Sequence, residues 1–405
     1  MRIAMVSEHA SPLAARGGLG GADAGGQNVF VAALAAELGA QGHHVTVYTR
    51  RDSPAPPGRV RLAPGVTVEH VPAGPPSDVP KDDLLRWMPD FGNYLRDRWR
   101  ADPPDVVHAH FWMSGLASLQ ATRGPGAPRV PVVQTFHALG SVKRRHQGGK
   151  DTSPDGRVQM ESEIGRAAEA VIATAVEETA ELAAMGVPAD RIEVVPCGVD
   201  LAVHSPDGPA EDRGAPRRLV VLSRMVERKG VDTAIRALAH VPDAELIVAG
   251  GPPAAELDAD PEARRLLAVA AEADVAGRVH LVGRRSRDEV PALLRSADVV
   301  LALPWYEPFG MVPLEAMSCG VPVVATAVGG HLDSVADGES GLLVPPRDPV
   351  AAARAVNALL DDPARREAYG RAGRRRAEAR YSWPRVARDT LSVYREAMAR
   401  KEVAA

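Results

Sequence analysis

Residues 299–316 read VVLALPWYEPFGMVPLEA and contain, in one short segment, the three kinds of element that recur along the chain. Val299 to Leu303 is a continuous apolar run, which is typical of a strand buried on both faces of a sheet. A turn containing Pro308 and Gly310 follows, and Pro313 suits the first turn of a helix, where its missing N–H is not needed. The segment therefore predicts a strand, a loop and a helix start.

Two carboxylates accompany this turn. Glu307 is expected on the loop and Glu315, eight residues later, in the first turn of the helix. The free N–H groups of a helix start favour an anion, whereas carboxylates accept hydrogen bonds from hydroxyls. A ligand that carries both phosphate and many hydroxyls satisfies both groups, and a nucleotide sugar fits this description.

The same alternation of apolar strands and helices covers the whole chain of 405 residues. It predicts an α/β protein with two doubly wound, Rossmann-like domains that face each other across a cleft. The predicted strands are 2–7, 45–49, 105–110, 130–135, 170–173, 192–195, 218–223, 244–249, 279–282, 299–303 and 321–326. The predicted helices are 28–41, 231–239, 262–273, 348–360 and 383–400.

A run rich in proline, glycine and charge, 206–216, predicts an interdomain linker. The expected organisation is an N-terminal domain at 1–205, a linker at 206–217 and a C-terminal domain at 218–380. Residues 381–405 form a C-terminal helix. Two roles stay open for this helix, simple packing and a return to the N-terminal domain.

Composition excludes several classes of protein. The net charge of −4 gives no basic field for nucleic acid, and no apolar run is long enough to span a bilayer. The first apolar run is too short for a signal peptide, so we expect a cytoplasmic protein that is not an integral membrane protein. Cys197 and Cys319 form no metal or redox spacing.

Basic residues follow the first strand of the second half. Arg224 and Lys229 lie between a strand end and a helix start, and they are suitable residue types for a diphosphate. A solvated basic loop is the alternative, and it is the better interpretation of Arg228. Near the N-terminus, Gly25 and Gly26 end a glycine-rich loop before a helix and would let the backbone approach a phosphate.

Histidines end two strands of the first half. His108 and His110 are two residues apart, so their side chains would share one face of a strand. No nearby carboxylate or cysteine completes a zinc site, which favours a structural or ligand-facing pair. His137 follows the next predicted strand and is expected to point toward the cleft, with structural and functional roles equally open.

Together these residues resemble the retaining glycosyltransferases of family 4, which have the GT-B fold. The resemblance covers essentially the whole chain, and the N-terminal half is most similar to the subgroup of sucrose-phosphate synthases and the inositol-phosphate N-acetylglucosaminyltransferase of mycothiol synthesis. The most specific match is Glu307-Pro308-Phe309-Gly310 followed by Glu315. The supporting matches are Arg224 with Lys229 and the segments 23–28, 108–115, 135–137 and 196–200.

The resemblance implies a catalytic group of His137, Glu307, Arg224 and Lys229. Arg224 and Lys229 would hold the donor diphosphate, Glu315 the ribose hydroxyls and Glu307 the sugar hydroxyls, with His137 near the anomeric centre. The full implied donor site comprises Gly25, Gly26, Arg224, Lys229, Glu307, Phe309, Gly310, Met311 and Glu315.

The resemblance also implies that no metal or other cofactor is required, with a nucleotide-diphosphate sugar as co-substrate. Basic residues of the first half, Lys81, Lys143 and Arg157, are candidates for binding an anionic small-molecule acceptor, and Gln27 and Asn28 are further candidates. The alternatives are another GT-B enzyme, such as a nucleotide-sugar epimerase or a phosphorylase, and a non-catalytic sugar-nucleotide-binding protein. The donor base (UDP, GDP or ADP), the sugar, the acceptor and a homodimer stay open.

Overall fold

The computed structural model describes residues 1–14, 26–55 and 57–403, which divide into two compact units. The first unit comprises the described residues up to Pro196 together with 383–403, and the second comprises 197–382. The boundary thus lies nine residues before the expected end of the N-terminal domain at 205. The segment 206–217, expected as a linker, lies inside the second unit.

The first unit is built on an eight-stranded sheet with the order β3-β4-β2-β1-β5-β6-β7-β8. All neighbouring strands are parallel except the hairpin of β3 and β4, which the sequence reasoning missed. The strands are β1 (Arg2–Val6), β2 (His44–Arg50), β3 (Arg59–Ala63), β4 (Val66–Val71), β5 (Val106–His110), β6 (Val132–Thr135), β7 (Ala170–Ala173) and β8 (Ile192–Val194). The helices are α1 (Gly26–Ala40), α2 (Met88–Ala101), α3 (Trp112–Thr122), α4 (Gly140–Gln147), α5 (Arg157–Ala167) and α6 (Val176–Ala184).

The second unit has a six-stranded, fully parallel sheet with the order β11-β10-β9-β12-β13-β14. Its strands are β9 (Arg217–Leu222), β10 (Ala244–Ala249), β11 (Val279–Gly283), β12 (Val299–Ala302), β13 (Val323–Thr326) and β14 (Gly341–Val344). Its helices are α7 (Val231–Leu238), α8 (Pro261–Glu272), α9 (Val290–Ser296), α10 (Met311–Ser318), α11 (Gly330–Ser334), α12 (Pro349–Leu360) and α13 (Pro363–Arg380).

Strand β9 shows why the strands of this sheet are almost continuously apolar. Leu219 and Val221 belong to one buried apolar cluster, while Val220 and Leu222 belong to another. Because successive side chains of a strand point to opposite faces, both faces of the sheet are covered by helices. None of the described helices combines the length and the apolar character needed to cross a membrane.

The last helix, α14 (Trp383–Val403), belongs to the first unit although it follows the second in the chain. The Trp383 ring packs edge-on against Phe30 of α1, with 5.6 Å between the ring centroids. The hydroxyl of the fully buried Tyr394 lies 2.7 Å from Nδ1 of His108 on β5. The helix therefore completes the core of the first unit.

Each sheet has one place where the strand order reverses. In the first sheet the chain runs outward from β1 and returns to place β5 beside it, and in the second sheet β12 returns beside β9. Loops that leave adjacent parallel strands in opposite directions open a crevice at the carboxyl edge, where doubly wound sheets bind their ligands. A ligand site is therefore expected at the segments that follow β1, β5, β9 and β12.

Gly230 fixes the path of the loop after β9. It has a positive φ of 66° and a Cβ at this position would lie 2.0 Å from the carbonyl oxygen of Leu303. Both the conformation and the close approach require glycine.

We expect Gly230→Ala to lower the free energy of unfolding by roughly 2 kcal/mol or more. The left-handed conformation is unfavourable for alanine, and its Cβ would also displace the backbone at Leu303. The measurement is urea-induced unfolding. The control is Gly277→Ala, since a Cβ at Gly277 meets nothing within 4 Å. Equal unfolding curves for both variants would contradict this account of the loop.

Candidate functional site

The loops after β9 and β12 meet at the carboxyl edge of the second sheet. The backbone N–H of Trp305 donates to the carbonyl oxygen of Arg228, with a distance of 2.9 Å. The Lys229 ammonium group forms an ion pair and hydrogen bond with the Glu307 carboxylate. The two side chains are only 17% and 13% exposed, so this is a largely desolvated pair. The structure thus brings together two of the residues that the sequence predicts for one site.

The surroundings favour the ionised form of Glu307. Burial by itself raises the pKa of this carboxyl, but Lys229, together with His331 and Arg228, outweighs burial and holds the pKa at about 2. Burial also has the largest effect on Lys229 and lowers the pKa of its ammonium group, against the opposing attraction of Glu307. At neutral pH, Glu307 is therefore a carboxylate that can accept hydrogen bonds but has no proton to give.

The backbone around Glu307 is held by the start of α11, the helix that follows β13. The N–H of Gly330 donates to the carbonyl oxygen of Glu307 at 2.8 Å, and a Cβ on Gly330 would lie 2.6 Å from the carbonyl oxygen of Phe309. The next residue, His331, is buried, and its Nδ1 lies 3.0 Å from the carbonyl oxygen of Thr326. Because a carbonyl only accepts, Nδ1 carries the proton. The sequence reasoning missed this support, although two glycines before a histidine at a strand end were a signal for it.

The structure corrects the expected position of Glu315. Gly310 has a φ of 69° and directly precedes α10, which begins at Met311. Pro313 is consequently the third helical residue and Glu315 the fifth, so Glu315 lies in the second turn and not in the first. The reason is that left-handed Gly310 ends the loop, so the helix needs no proline to begin. The first amides of α10 still have no acceptor within the helix.

Glu315 differs from Glu307 in its electrostatics. Its carboxylate is half-buried and makes no hydrogen bond or ion pair with any residue in the described ranges. Burial raises the pKa of Glu315, and His204 and Arg287 oppose this only in part. The carboxylate oxygens of Glu315 therefore keep their capacity to accept hydrogen bonds.

Arg224 lies on the exposed side of the same loop, two residues after the end of β9. Its carbonyl oxygen accepts a hydrogen bond from Val226 at 3.0 Å, which forms a tight turn there. The positive charge of Arg224 contributes to lowering the pKa of Lys229, so the two cations lie close enough to repel each other.

Three histidines cluster at the ends of β5 and β6 in the first unit. His108 and His110 share a strand face as predicted, and their ring centroids lie 4.0 Å apart. Nδ1 of His110 lies 2.9 Å from Nε2 of His137. All three rings are buried, and burial is the largest cause that lowers the pKa of each imidazole, to about 3 for His108. The three rings are therefore neutral at physiological pH.

The cationic candidates Lys81, Lys143 and Arg157 also come together in the first unit, where Lys81 and Arg157 lie over the ring of Phe111 and Lys143 meets Arg157 at Ser153. The Lys81 ammonium lies 4.9 Å and the Arg157 guanidinium 5.0 Å from the centroid of this ring. Lys143 and Arg157 both donate to the hydroxyl of Ser153, at 2.9 and 3.1 Å. We call Lys81, Lys143 and Arg157 the cation cluster.

The members of the cation cluster differ in their partners. Arg157 forms a buried ion pair with Glu161, with 2.7 Å between Nε and Oε1, and Lys143 pairs with Asp151 at 2.9 Å. Lys81 has no carboxylate or hydrogen-bond partner among the described residues. Burial first, and then the charges of Arg157 and Lys143, lower the pKa of Lys81. An anion bound beside Lys81 would relieve this repulsion.

The N-terminal candidates have mainly internal partners. The side chain of Gln27 donates to the hydroxyl of Ser7 at 3.2 Å, and that of Asn28 donates to the carbonyl oxygen of Ser11 at 3.2 Å. Gly26 is the first residue of α1, whereas Gly25 lies outside the described residues, as does the rest of the glycine-rich loop.

Sequence reasoning overlooked Glu8, which follows β1 at the strand-order reversal. Its carboxylate is buried, accepts a hydrogen bond from the hydroxyl of Ser114 and lies 2.8 Å from Nδ1 of His9. The His9 ring in turn packs edge-on against Phe111, with 4.8 Å between centroids. An acidic residue directly after a buried strand was the signal. Within the described ranges, no group of three or more His, Cys, Asp or Glu is arranged to hold a metal ion.

Comparison with known families matches both halves of the chain. The model of Glycosyltransferase Family 4 matches residues 24–203, and the model of Glycosyl transferases group 1 matches residues 210–376. A D-inositol 3-phosphate glycosyltransferase 1 from Catenulispora acidiphila is 38% identical over 98% of this chain and 96% of its own length. The D-inositol 3-phosphate glycosyltransferase from Acidothermus cellulolyticus is 37% identical over 100% of this chain and 92% of its own length.

Solved structures agree with these matches. A sucrose-phosphate synthase from Thermosynechococcus elongatus has a TM-score of 0.87 and 31% identity, covering 98% of this chain and 99% of its own. The Anabaena protein HepE, solved with UDP and glucose, has a TM-score of 0.74 at 19% identity, covering 97% of this chain and 98% of its own, and is similar in fold. The predicted fold class, two Rossmann-like domains of GT-B type, is confirmed.

The opposite pKa shifts of the two glutamates predict opposite effects of amide substitution. The depressed pKa of Glu307 contributes stability that is complete above the unfolded-state value, roughly 4.3, and is lost as pH falls toward the folded value of about 2. Glu307→Gln should therefore be less stable than wild type at pH 7, because Lys229 loses its partner, and should lose less stability between pH 4.5 and 3.

Glu315→Gln is the matched control. The raised pKa of Glu315 means that its ionised form costs stability, so the amide should be as stable as wild type or more stable at pH 7. Urea midpoints of the ligand-free variants between pH 7 and pH 3 measure both effects. Equal losses at pH 7 in the two variants would contradict the different environments described for the two glutamates.

Proposed function

We propose that this protein, which belongs to family 4 of the glycosyltransferases, transfers a sugar from a nucleoside-diphosphate sugar to a hydroxyl of a small phosphorylated acceptor. The observation that carries the proposal is the Lys229–Glu307 pair at the strand-order reversal of the second sheet. It joins a cation suited to a diphosphate with a carboxylate suited to sugar hydroxyls. The relatives that match along the whole chain are named glycosyltransferases, which favours this function over an epimerase or a non-catalytic protein.

The donor chemistry follows from the charges. When the bond between the anomeric carbon and the phosphate oxygen breaks, negative charge develops on the leaving diphosphate and positive charge on the sugar. Arg224, Lys229 and the first amides of α10 would stabilise the negative charge, so we infer that no metal ion is required. Ionised Glu307 would hold the sugar hydroxyls, and Glu315 would accept hydrogen bonds from the ribose.

Two cations beside the leaving group also suggest a route for the acceptor. In the proposed route the acceptor hydroxyl attacks the anomeric carbon on the face from which the diphosphate leaves, so the anomeric configuration is retained. Its proton passes to the departing phosphate oxygen, and the new bond joins the acceptor oxygen to the anomeric carbon. This route needs no separate base, in agreement with a Glu307 that is already ionised and paired. A covalent intermediate on Glu307 would first have to break the pair with Lys229.

The cation cluster is the proposed binding site for the acceptor phosphate. The charges of Lys143 and Arg157 both act on Lys81, and Lys81 lacks a carboxylate partner among the described residues. Arg157 is fixed by Glu161 and Lys143 by Asp151, so both are held in place before an anion arrives. The relatives named for D-inositol 3-phosphate make an inositol phosphate the first acceptor to test.

The direct test is transfer to inositol 3-phosphate from UDP-, GDP- and ADP-sugars, with the product analysed by NMR. We expect one nucleotide to support transfer, the anomeric configuration to be retained and EDTA to have no effect. Glu315→Ala should mainly raise the donor KM, whereas Glu307→Ala should mainly lower kcat. Loss of activity on EDTA treatment, or the reverse division between the two variants, would overturn the proposed roles.

The acceptor site has its own prediction. Lys81→Ala should raise the KM for a phosphorylated acceptor roughly tenfold, because a charge-assisted hydrogen bond to the phosphate is lost. The KM for the donor should stay the same. Lys150→Ala, which removes an exposed lysine shortly after Lys143 in the chain, is the control and should change neither constant. If Lys81→Ala and Lys143→Ala both leave the acceptor KM unchanged, the phosphate binds elsewhere.

A further inference from the structure

A glutamate and a histidine form a pair at the strand-order reversal of the first sheet, directly after β1, and the proposed function gives them no role. One oxygen of the buried Glu8 carboxylate lies 2.8 Å from Nδ1 of His9. The other oxygen accepts a hydrogen bond from the hydroxyl of Ser114 on α3. The Glu8 side chain is fully enclosed, whereas that of His9 is 12% exposed. The pair thus joins a fixed, buried carboxylate to a partly exposed ring.

These contacts decide where the proton of His9 lies. The Ser114 oxygen accepts from the backbone N–H of Glu8 at 3.1 Å, and the one acceptor for its own proton among the described residues is the Glu8 carboxylate. On the other side of Glu8, the proton between Oε1 and Nδ1 belongs to the ring, because a carboxyl group is a stronger acid than an imidazolium. Neutral His9 therefore carries its proton on Nδ1 and a lone pair on Nε2.

The lone pair of His9 has no use within the described part of the chain. The hydrogen bond of the ring with a described residue is the one to Glu8, which leaves Nε2 without such a partner. A carboxylate behind one ring nitrogen is the arrangement with which enzymes orient the other nitrogen toward a substrate. Enclosing a carboxylate costs free energy, and simple packing of His9 would not require it.

Phe111 connects His9 to the cation cluster. The His9 ring packs edge-on against Phe111 with 4.8 Å between centroids, and Lys81 and Arg157 lie over the same ring. Phe111 has a φ of 77°, an unfavourable conformation for a residue with a Cβ, and such strain persists only where the surroundings enforce it. Its backbone N–H donates to the carbonyl oxygen of Thr135 at 2.8 Å. The ring that joins His9 to the cations is thus held in place.

Electrostatic effects agree with this position of the pair. Burial has the largest effect on Lys81 and lowers its pKa, and Glu8 is close enough to oppose this in part. Burial first, and then His108 and His9, lower the pKa of His137. Glu8 and His9 therefore lie near both the cation cluster and the histidine that the resemblance assigns to the anomeric centre.

We propose that Nε2 of His9 accepts a hydrogen bond from a non-reacting hydroxyl of the acceptor, and that Glu8 is the positioning residue that fixes the ring for this contact. The assignment rests on the proposed function, in which the cation cluster holds the acceptor phosphate. The attacking hydroxyl still passes its proton to the departing phosphate oxygen. The acceptor is then a phosphorylated polyol with at least two free hydroxyls, one that attacks and one that His9 holds.

Nitrogen-15 NMR of the histidine-labelled, ligand-free enzyme tests the role of Glu8, at a pH where the His9 ring is neutral. We expect Nδ1 to have the shift of a protonated ring nitrogen and Nε2 that of an unprotonated one, with His9→Asn as the spectral reference. In Glu8→Gln the amide oxygen stays with Ser114, so the amide N–H faces His9 and the ring proton should move to Nε2. A protonated Nε2 in the wild type, or the same tautomer in Glu8→Gln, would overturn the proposal.

Kinetics of transfer to inositol 3-phosphate test the role of His9. His9→Phe keeps an aromatic ring against Phe111 but has no lone pair, and it should raise the acceptor KM roughly tenfold without changing the donor KM. His9→Gln, whose amide oxygen can accept, should recover part of this loss. The control is His44→Phe, which changes an exposed histidine at the opposite edge of the same sheet and should alter neither constant.

The outcomes separate this proposal from the proposed function. An unchanged acceptor KM in His9→Phe, or no recovery in His9→Gln, would show that Nε2 holds no acceptor hydroxyl, although the enzyme still transfers the sugar. Absence of transfer by the wild type would overturn the proposed function and with it the acceptor contact of His9. The tautomer of His9 is measured without substrate and does not depend on either result.

Discussion

The parallel pairing of β9 with β12 is the constraint on which the second unit's site depends. Val220 pairs with Val300, and because the strands run in the same direction their carboxyl ends lie at the same edge. The chain continues from β9 toward one edge of the sheet and from β12 toward the other. A backbone hydrogen bond between Trp305 and Arg228 joins the two loops where they start. Lys229 and Glu307, 78 positions apart in the chain, meet only because of this pairing. The ion pair between these two side chains therefore depends on the strand order of the sheet.

The two glutamates show how one short segment can provide two different carboxylates. Glu307 meets a cation in its own domain and stays ionised, whereas Glu315 lies half-buried on a helix without a described partner. The cation cluster of the first unit shows the same division, since Arg157 and Lys143 are paired and Lys81 is not. In each case one charge is paired within the protein, and a neighbouring charge has no such partner among the described residues.

Sequence reasoning reached the strands with continuous apolar runs, such as β10 and β12, because a strand buried on both faces leaves a strong pattern. It missed β3 and β4, where Arg59 and Glu69 pair across a hairpin at the edge of the sheet and polar residues interrupt the pattern. It placed Glu307 on a loop but put Glu315 one turn too early, because the backbone angle of Gly310 is not visible in a sequence. The buried contacts of Glu8 with Ser114 and of His110 with His137 join residues that are distant in the chain, so a local pattern can indicate the residue but not its partner.

The position of α14 has a consequence for how this chain is made. Among the described residues, the first unit includes chain on both sides of the second unit, which occupies 197–382. The stretch 197–382 is continuous and can fold as soon as it leaves the ribosome, whereas the first unit lacks Trp383 and Tyr394 until residues 383–403 have been synthesised. During translation, Phe30 and His108 therefore remain without these partners while the downstream unit is built. The unit that is translated first is the last to be completed.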